Sequence, residues 1–146
     1  MLPGAVLALD VGTRTIGVAR TDPSRRFVFA DPTLARRSVR VDAAALATIC
    51  ARHQVTQLVV GVPLPTEGET TSARGERLAR QVGDALAGLT GLPVAYVDES
   101  FTTLEAHARL REAGADERRR RGVIDGHAAV VILEDWLASV GGDAPP

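Results

Sequence analysis

Apolar positions come in two patterns along this chain, short continuous runs near the start and helical spacings later. Ala5 to Leu9 is an unbroken apolar run and Ile16 to Ala19 is another, with "DVGTRT" between them. Two such runs around a glycine-containing link predict a β-hairpin, because Gly12 can take a positive φ angle and the threonines favour extended chain. A third strand is expected near Arg26 to Ala30, ending at an Asp31-Pro32 turn. The period then changes. Val41, Ala45, Leu46, Ile49 and Cys50 recur at helical spacing, with Asp42 acidic in the first turn. "QLVVGVP" (57 to 63) predicts a buried strand and "TEGETTS" a loop. Thr71 or Ser72 is then a candidate cap for a helix carrying Leu78, Val82 and Leu86.

The second half repeats the alternation. "LPVAYV" (92 to 97) predicts a fifth strand that runs into "DESFTTLEAHARLREAG", where Thr102 or Thr103 is a candidate cap for a helix ending near Gly114. Ile124, Ala128, Ile132, Trp136 and Val140 step by four along a last helix. Hairpin-joined strands followed by strands separated by helices predict an α/β fold. Its five-stranded mixed sheet, antiparallel on one side and parallel on the other, would be flanked by helices.

Composition narrows the class. A chain of 146 residues, 45% hydrophobic, suits one compact domain, expected over residues 1–140 with a flexible tail at 141–146. No apolar run approaches the ~20 residues of a membrane span and the N-terminus lacks a signal-peptide pattern, so a soluble cytoplasmic protein is expected. Cys50, the sole cysteine, excludes an internal disulfide and a cysteine-rich zinc site and is expected in the core. The net charge of −1 does not by itself point to a nucleic-acid partner. The distribution is more informative. All 17 basic residues are arginine, and they cluster at Arg25-Arg26, Arg36-Arg37-Arg40, Arg74-Arg77-Arg80 and Arg118 to Arg121. Arginine forks suit phosphate oxygens.

The candidate chemistry lies at the ends of elements. Asp10 closes the first strand, Asp98-Glu99 the fifth, and Asp125 falls in the expected first turn of the last helix. Brought together, such carboxylates repel one another unless divalent cations neutralise them, and Mg²⁺ or Mn²⁺ prefers oxygen ligands of this kind. Two ions ~4 Å apart could activate a water and stabilise the leaving oxygen of a phosphodiester. Side chains at a strand end point to opposite faces, so one member of the Asp98-Glu99 pair is expected to join Asp10. Glu99 is the expected one. Each acid also has a plainer reading: Asp10 as a turn former, Asp125 as a favourable charge at a helix start, and Asp98 and Glu99 as ordinary loop acids.

At this point "LALDVGTRTIGVA", "VVGVPLP…EG", "VDESFTT" and "IDGHAAVVIL" resemble, in order, the four signatures of the YqgF/RuvX family. These are ribonuclease H-like proteins described as Holliday-junction-resolvase-like or as pre-16S ribosomal RNA nucleases. The resemblance covers about residues 5 to 138. It implies a ribonuclease H-like fold and metal-dependent cleavage of nucleic acid, with RNA favoured and branched DNA the alternative. Carried over by position, Asp10, Glu99 and Asp125 are the implied catalytic metal ligands for two Mg²⁺ or Mn²⁺ ions. Two departures stand out: Ser100 replaces the arginine usual after the Asp-Glu pair, and "PTEG" replaces Asn-Met-Asp-Gly. Both positions lie where substrate is expected.

Supporting residues follow from the same reading. Thr13, Arg14 and Thr15 are candidate donors to a phosphate near Asp10. Arg118, Arg119, Arg120 and Arg121, just before Asp125, are candidates for holding flanking phosphates, against the plainer reading of a solvated loop. Arg74, with Arg77 one turn later, is a further candidate, against plain helix surface. His127, two residues after Asp125, should face away from it, while His53 and His107 are expected at the surface and Trp136 in the core. With 3% aromatic residues, recognition by stacking is poorly supported.

Two other classes compete. The hairpin also resembles the phosphate-binding element of the actin, sugar-kinase and heat-shock ATPase superfamily, but that architecture needs two lobes. A non-catalytic module binding RNA, junction DNA or assembly machinery is the second. Either a monomer or a homodimer is compatible with the sequence, and resolving a junction would require the dimer.

Overall fold

The structure, a computed structural model, describes residues 2–63, 71–98 and 117–141; side chains of residues 71–73, 117–126 and 141 lie outside that description. The strands are β1 (Ala5–Val11), β2 (Thr15–Thr21), β3 (Val28–Ala35), β4 (Val55–Val62) and β5 (Val94–Asp98). The helices are α1 (Val39–Arg52), α2 (Thr71–Thr90) and α3 (Glu117–Gly141). The sheet order is β3-β2-β1-β4-β5. The β1–β2 and β2–β3 pairs are antiparallel and the β1–β4 and β4–β5 pairs parallel, as the order of hairpins and crossovers predicts. No described helix is long and apolar enough to cross a membrane.

Strand alternation sends successive residues to opposite faces. Ala5, Leu7, Leu9 and Val11 pack with Leu46, Cys50, Val82 and Leu86 of α1 and α2. Val6 and Ala8 pack on the other face with Ala129, Ile132 and Leu133 of α3. The central strand is therefore apolar on both sides, which is why its sequence reads as a continuous run.

Several boundaries differ from the sequence expectation for identifiable reasons. β3 does not stop at Asp31-Pro32 but continues to Ala35. As an edge strand it tolerates a proline, and the β2–β3 register shifts between Ile16 and Val18, opposite that segment. Val41 is 49% exposed, while Ala43 is buried and Val39 packs against the core, so the inward stripe of α1 is displaced from the expected set. Ser38 caps α1 by accepting from the Val41 N–H, which turns that first turn outward. Thr71 and Ser72 lie inside α2 instead of preceding it. Gly12 has no positive φ, in contrast to Gly4 and Gly91. A Cβ there would sit 3.1 Å from the Thr15 carbonyl oxygen, so close approach is what Gly12 provides. Finally, α3 runs from Glu117, well before Ile124, to Gly141. The expected helix over 102–114 lies outside the described residues.

Candidate active site

Asp10 is the penultimate residue of β1, paired with Gly17 of β2 and Gly61 of β4. By alternation from Val6 and Ala8 it belongs to the α3 face of the sheet. Both flanking strands offer glycine at its level, so no neighbouring side chain crowds that row. Val97 of β5 pairs with Gly61 in turn, which places the end of β5 two strands away, about 10 Å at ~4.8 Å per strand. The two acid-bearing strands are thus separated by β4, with a glycine between them.

Asp98 follows Val94 and Tyr96 in alternation, and those residues pack on the α1/α2 face. It is therefore on the opposite face from Asp10, as expected if its neighbour joins the site. Glu99 itself lies outside the described residues. Position 125 lies one turn before Ala129 and two before Ile132, on the stripe of α3 that packs on the sheet. It does not open the helix, however. Asp125 stands eight residues after Glu117, so its expected role as a first-turn charge is corrected: α3 extends upstream through Arg118 to Arg121, arginine being a good helix former. Those four arginines sit on the first turns of α3 and not in a preceding loop. Among the described residues no group of three His, Cys, Asp or Glu could hold a metal, Asp10 being the one carboxylate of the expected triad whose side chain is described.

The turn after Asp10 is held firmly in place. The Gly12 N–H donates to the Thr15 carbonyl at 2.8 Å. Arg36, just after β3, donates from Nη1 to the Gly12 carbonyl at 2.9 Å and from Nε to Asp42 Oδ2 at 2.7 Å. Asp42 is 1% exposed, and its other oxygen accepts from the Arg37 N–H at 3.1 Å. The Arg36 N–H donates to the Arg14 carbonyl at 2.8 Å. This buried pair clamps the β1–β2 turn to the start of α1. The sequence places Asp42 in the first turn of α1; its partners Arg36 and Arg37 lie only six and five residues earlier, but the Gly12 carbonyl that Arg36 also holds is 24 residues away, and no local spacing signals that link.

Thr13 and Arg14 are exposed at the turn, while Thr15 is half-buried in β2, paired with Ala35. Thr13 also lines a cleft of about 470 Å³ with Arg36, Arg37, Arg74, Arg77, Leu78 and Gln81. The structure thus brings Arg74, otherwise plain helix surface, to the same cleft as Thr13. A Cβ at Gly75 would lie 3.0 Å from Pro63 Cγ, so glycine there lets the end of β4 approach α2 closely beside Arg74. Gln81 carries no sequence signal for binding, and Arg36 and Arg37 stand out from sequence only as members of the Arg36-Arg37-Arg40 cluster. His127 is half-buried, and its Nε2 meets no hydrogen-bond partner among the described residues. Trp136 is half-buried against the α3 cluster, under the Arg25 guanidinium at 5.9 Å from the ring centroid. His107 lies outside the described residues.

A mixed sheet in the order β3-β2-β1-β4-β5 with helices on both faces is the ribonuclease H-like fold. Thermus thermophilus RuvC in complex with a Holliday junction substrate shares the fold at TM-score 0.60 and 14% identity, over 94% of this chain and 96% of that one. The human cytomegalovirus terminase nuclease domain matches at TM-score 0.51 and 14% identity, over 92% and 83%. At the level of sequence, the family model RuvX, described as "Holliday junction resolvase", matches residues 4–139, and the chain belongs to that family. Relatives in Anaeromyxobacter dehalogenans (40% identical, 90% of this chain and 94% of the relative) and in a Bradyrhizobium species (39%, 92% and 82%) carry the name "Putative pre-16S rRNA nuclease".

Proposed function

We propose that this protein is a metal-dependent nuclease that hydrolyses phosphodiester bonds, with RNA, and precursor ribosomal RNA in particular, as the favoured substrate. The observation that carries the reading is the placement of Asp10: near the end of a central strand, on the α3 face, between two glycines, with position 125 on the facing stripe of α3. Family membership and the names of the relatives support it. Asp10, Glu99 and Asp125 would hold two Mg²⁺ or Mn²⁺ ions. Three carboxylates form the hard oxygen donor set these cations prefer. When bound, the ions supply Lewis acidity to the phosphoryl group and its attacking water.

The chain's own residues supply placement. β1, held between β2 and β4, fixes Asp10 on a rigid element, and the Arg36–Asp42 pair fixes the turn beyond it. Thr13, Arg14 and Thr15 offer donors at that turn, with Arg74 beside them and Arg118 to Arg121 on α3, so that backbone phosphates dominate recognition.

The family's description also favours a second substrate, the four-way DNA junction. One assay separates the readings: end-labelled single-stranded RNA and a four-way junction, each with Mn²⁺, Mg²⁺ or chelator, cut by wild type and Asp10→Asn. Altering residues that merely support metal ligands costs 10–100-fold, so loss of a ligand should reduce cleavage by more than about 100-fold with folding intact. The substrate that is cut chooses between RNA processing and recombination. Binding of both without cleavage by wild type would make the protein a binding module.

A further inference from the structure

We propose that the cleft between the β1–β2 turn, the β3–α1 link and α2 seats backbone phosphates of the strand being cut, within about three nucleotides of the scissile bond. This rests on the nuclease reading of the Asp10 site and adds a second, separate surface to it. Thr13, Arg36, Arg37, Arg74, Arg77 and Gln81 converge there from three segments distant in sequence. The cleft's volume of about 470 Å³ exceeds what one phosphate needs and admits part of a sugar-phosphate chain.

Among the described residues, most of its charge is not consumed internally. Arg36 is committed to Asp42 and to the Gly12 carbonyl. Arg37, Arg74 and Arg77 have no ion pair among the described residues, and the last two stand one turn apart on α2. Arg80, the next arginine of that helix, shows the contrast. It pairs with Glu76 at 3.1 Å and lies 4.8 Å from the centroid of the Tyr96 ring. One arginine of α2 is used by the fold, while two face a cavity whose lining, among the described residues, includes no carboxylate. Guanidinium groups so placed favour a phosphate-bearing ligand, and fork geometry suits phosphate oxygens.

The location fixes which phosphates. Thr13 is three residues from Asp10, so their Cα atoms are at most ~11 Å apart, and a strand in helical form rises ~3.4 Å per nucleotide. Asp10 belongs to the α3 face, whereas α2 covers the opposite one. A strand bound at both sites must therefore cross the end of the sheet over the turn that Arg36 holds.

The test measures binding in chelator, where no cleavage occurs, using a labelled single-stranded RNA of about a dozen nucleotides over a salt series. The variants are Arg74→Ala/Arg77→Ala and, on the same helix, Arg80→Ala. Each phosphate contact on a single strand contributes a slope of about 0.7 in log K against log salt. The double variant should therefore lose about 1.4 from the slope, and its deficit against wild type should shrink about sevenfold between 50 and 200 mM salt. Arg80→Ala should keep the wild-type slope, and Arg77→Gln alone should lose about half as much as the pair. An unchanged slope in the double variant overturns the proposal, as does an equal loss in Arg80→Ala. So does loss of mononucleotide or inorganic phosphate binding with RNA affinity intact. A wild type that binds with this pattern but never cuts in Mn²⁺ defeats the nuclease reading instead, so the two failures are distinguishable.

Discussion

The two faces of the sheet are built differently. On one, α1 and α2 close over Leu7, Leu9, Ile16, Val18, Leu58 and Val60. On the other, among the described residues, α3 alone packs Ala129, Ile132 and Leu133 over Val6, Ala8, Ala19 and Val59. The first face carries the larger cluster and the buried Arg36–Asp42 pair; the second carries Asp10 near its edge and position 125 on its covering helix. Under the proposed function, the Asp10 carboxylate is mounted on a strand shared by both layers. β1, like β2 and β4, is buried on both sides, and it alone of the three carries an acid at the level of Gly17 and Gly61 on the α3 face.

The sharpest way to break this comparison is to remove the clamp. Asp42→Ala leaves the largely buried Arg36 guanidinium, which also borders the cleft, without its acid and deprives the Arg37 N–H of an acceptor. Breaking a buried pair on one side costs about 3–5 kcal/mol, and that loss is expected in denaturant unfolding. Because Arg36 also holds the Gly12 carbonyl, any folded Asp42→Ala protein should cleave more slowly than wild type. Wild-type stability in this variant would show that the pair contributes nothing to the α1/α2 face.

A matched pair compares the faces directly. Leu46 on α1 and Leu133 on α3 are both fully buried. Leucine-to-alanine replacements in cores cost about 2–5 kcal/mol, the larger values arising where surroundings cannot collapse. Leu46→Ala, in the larger cluster, should fall in the upper part of that range and Leu133→Ala in the lower. Cleavage per folded molecule should show the reverse order, since α3 bears Asp125. Equal stability losses would mean that the two layers are equally constrained.

These contrasts show what was legible in the chain. The five strands and their order of appearance follow from apolar runs and helical spacings, because burial on one or two faces imposes those periods. Asp10 could be singled out because a carboxylate at the end of a buried run has no core role. Edges and registers were less legible. Pro32 signals a turn locally, yet an edge strand absorbs it, and edge status is a property of the whole sheet. The start of α3 was placed late because Arg118 to Arg121 and Gly122 break the apolar stripe while remaining compatible with helix. The cleft was invisible for a similar reason: Thr13, Arg37, Arg74 and Gln81 meet only after two crossovers, and no local spacing encodes their convergence.

The mildest perturbation concerns Cys50, buried on α1 in the larger cluster. Replacing it by alanine removes one buried sulfur atom, and a loss of about 1 kcal/mol is expected from the transfer and small-cavity terms together. Its pH dependence tests the packing of that face more finely. Burial pushes the thiol up from 9.0 to about 11. The folded protein therefore keeps its proton where the unfolded chain has lost one, so stability falls as pH rises from about 9 towards 11. Cys50→Ala lacks that term, so the stability gap between wild type and variant should narrow as pH rises and close at about pH 10, since one pKa unit is worth about 1.4 kcal/mol. Thiol reagents should likewise label folded wild type at pH 8 far more slowly than the denatured chain, since both burial and the small thiolate fraction oppose attack. A constant gap together with rapid labelling would mean that α1 lifts readily from the sheet, and the α1/α2 face would no longer be the rigid side on which the turn beside Asp10 is anchored.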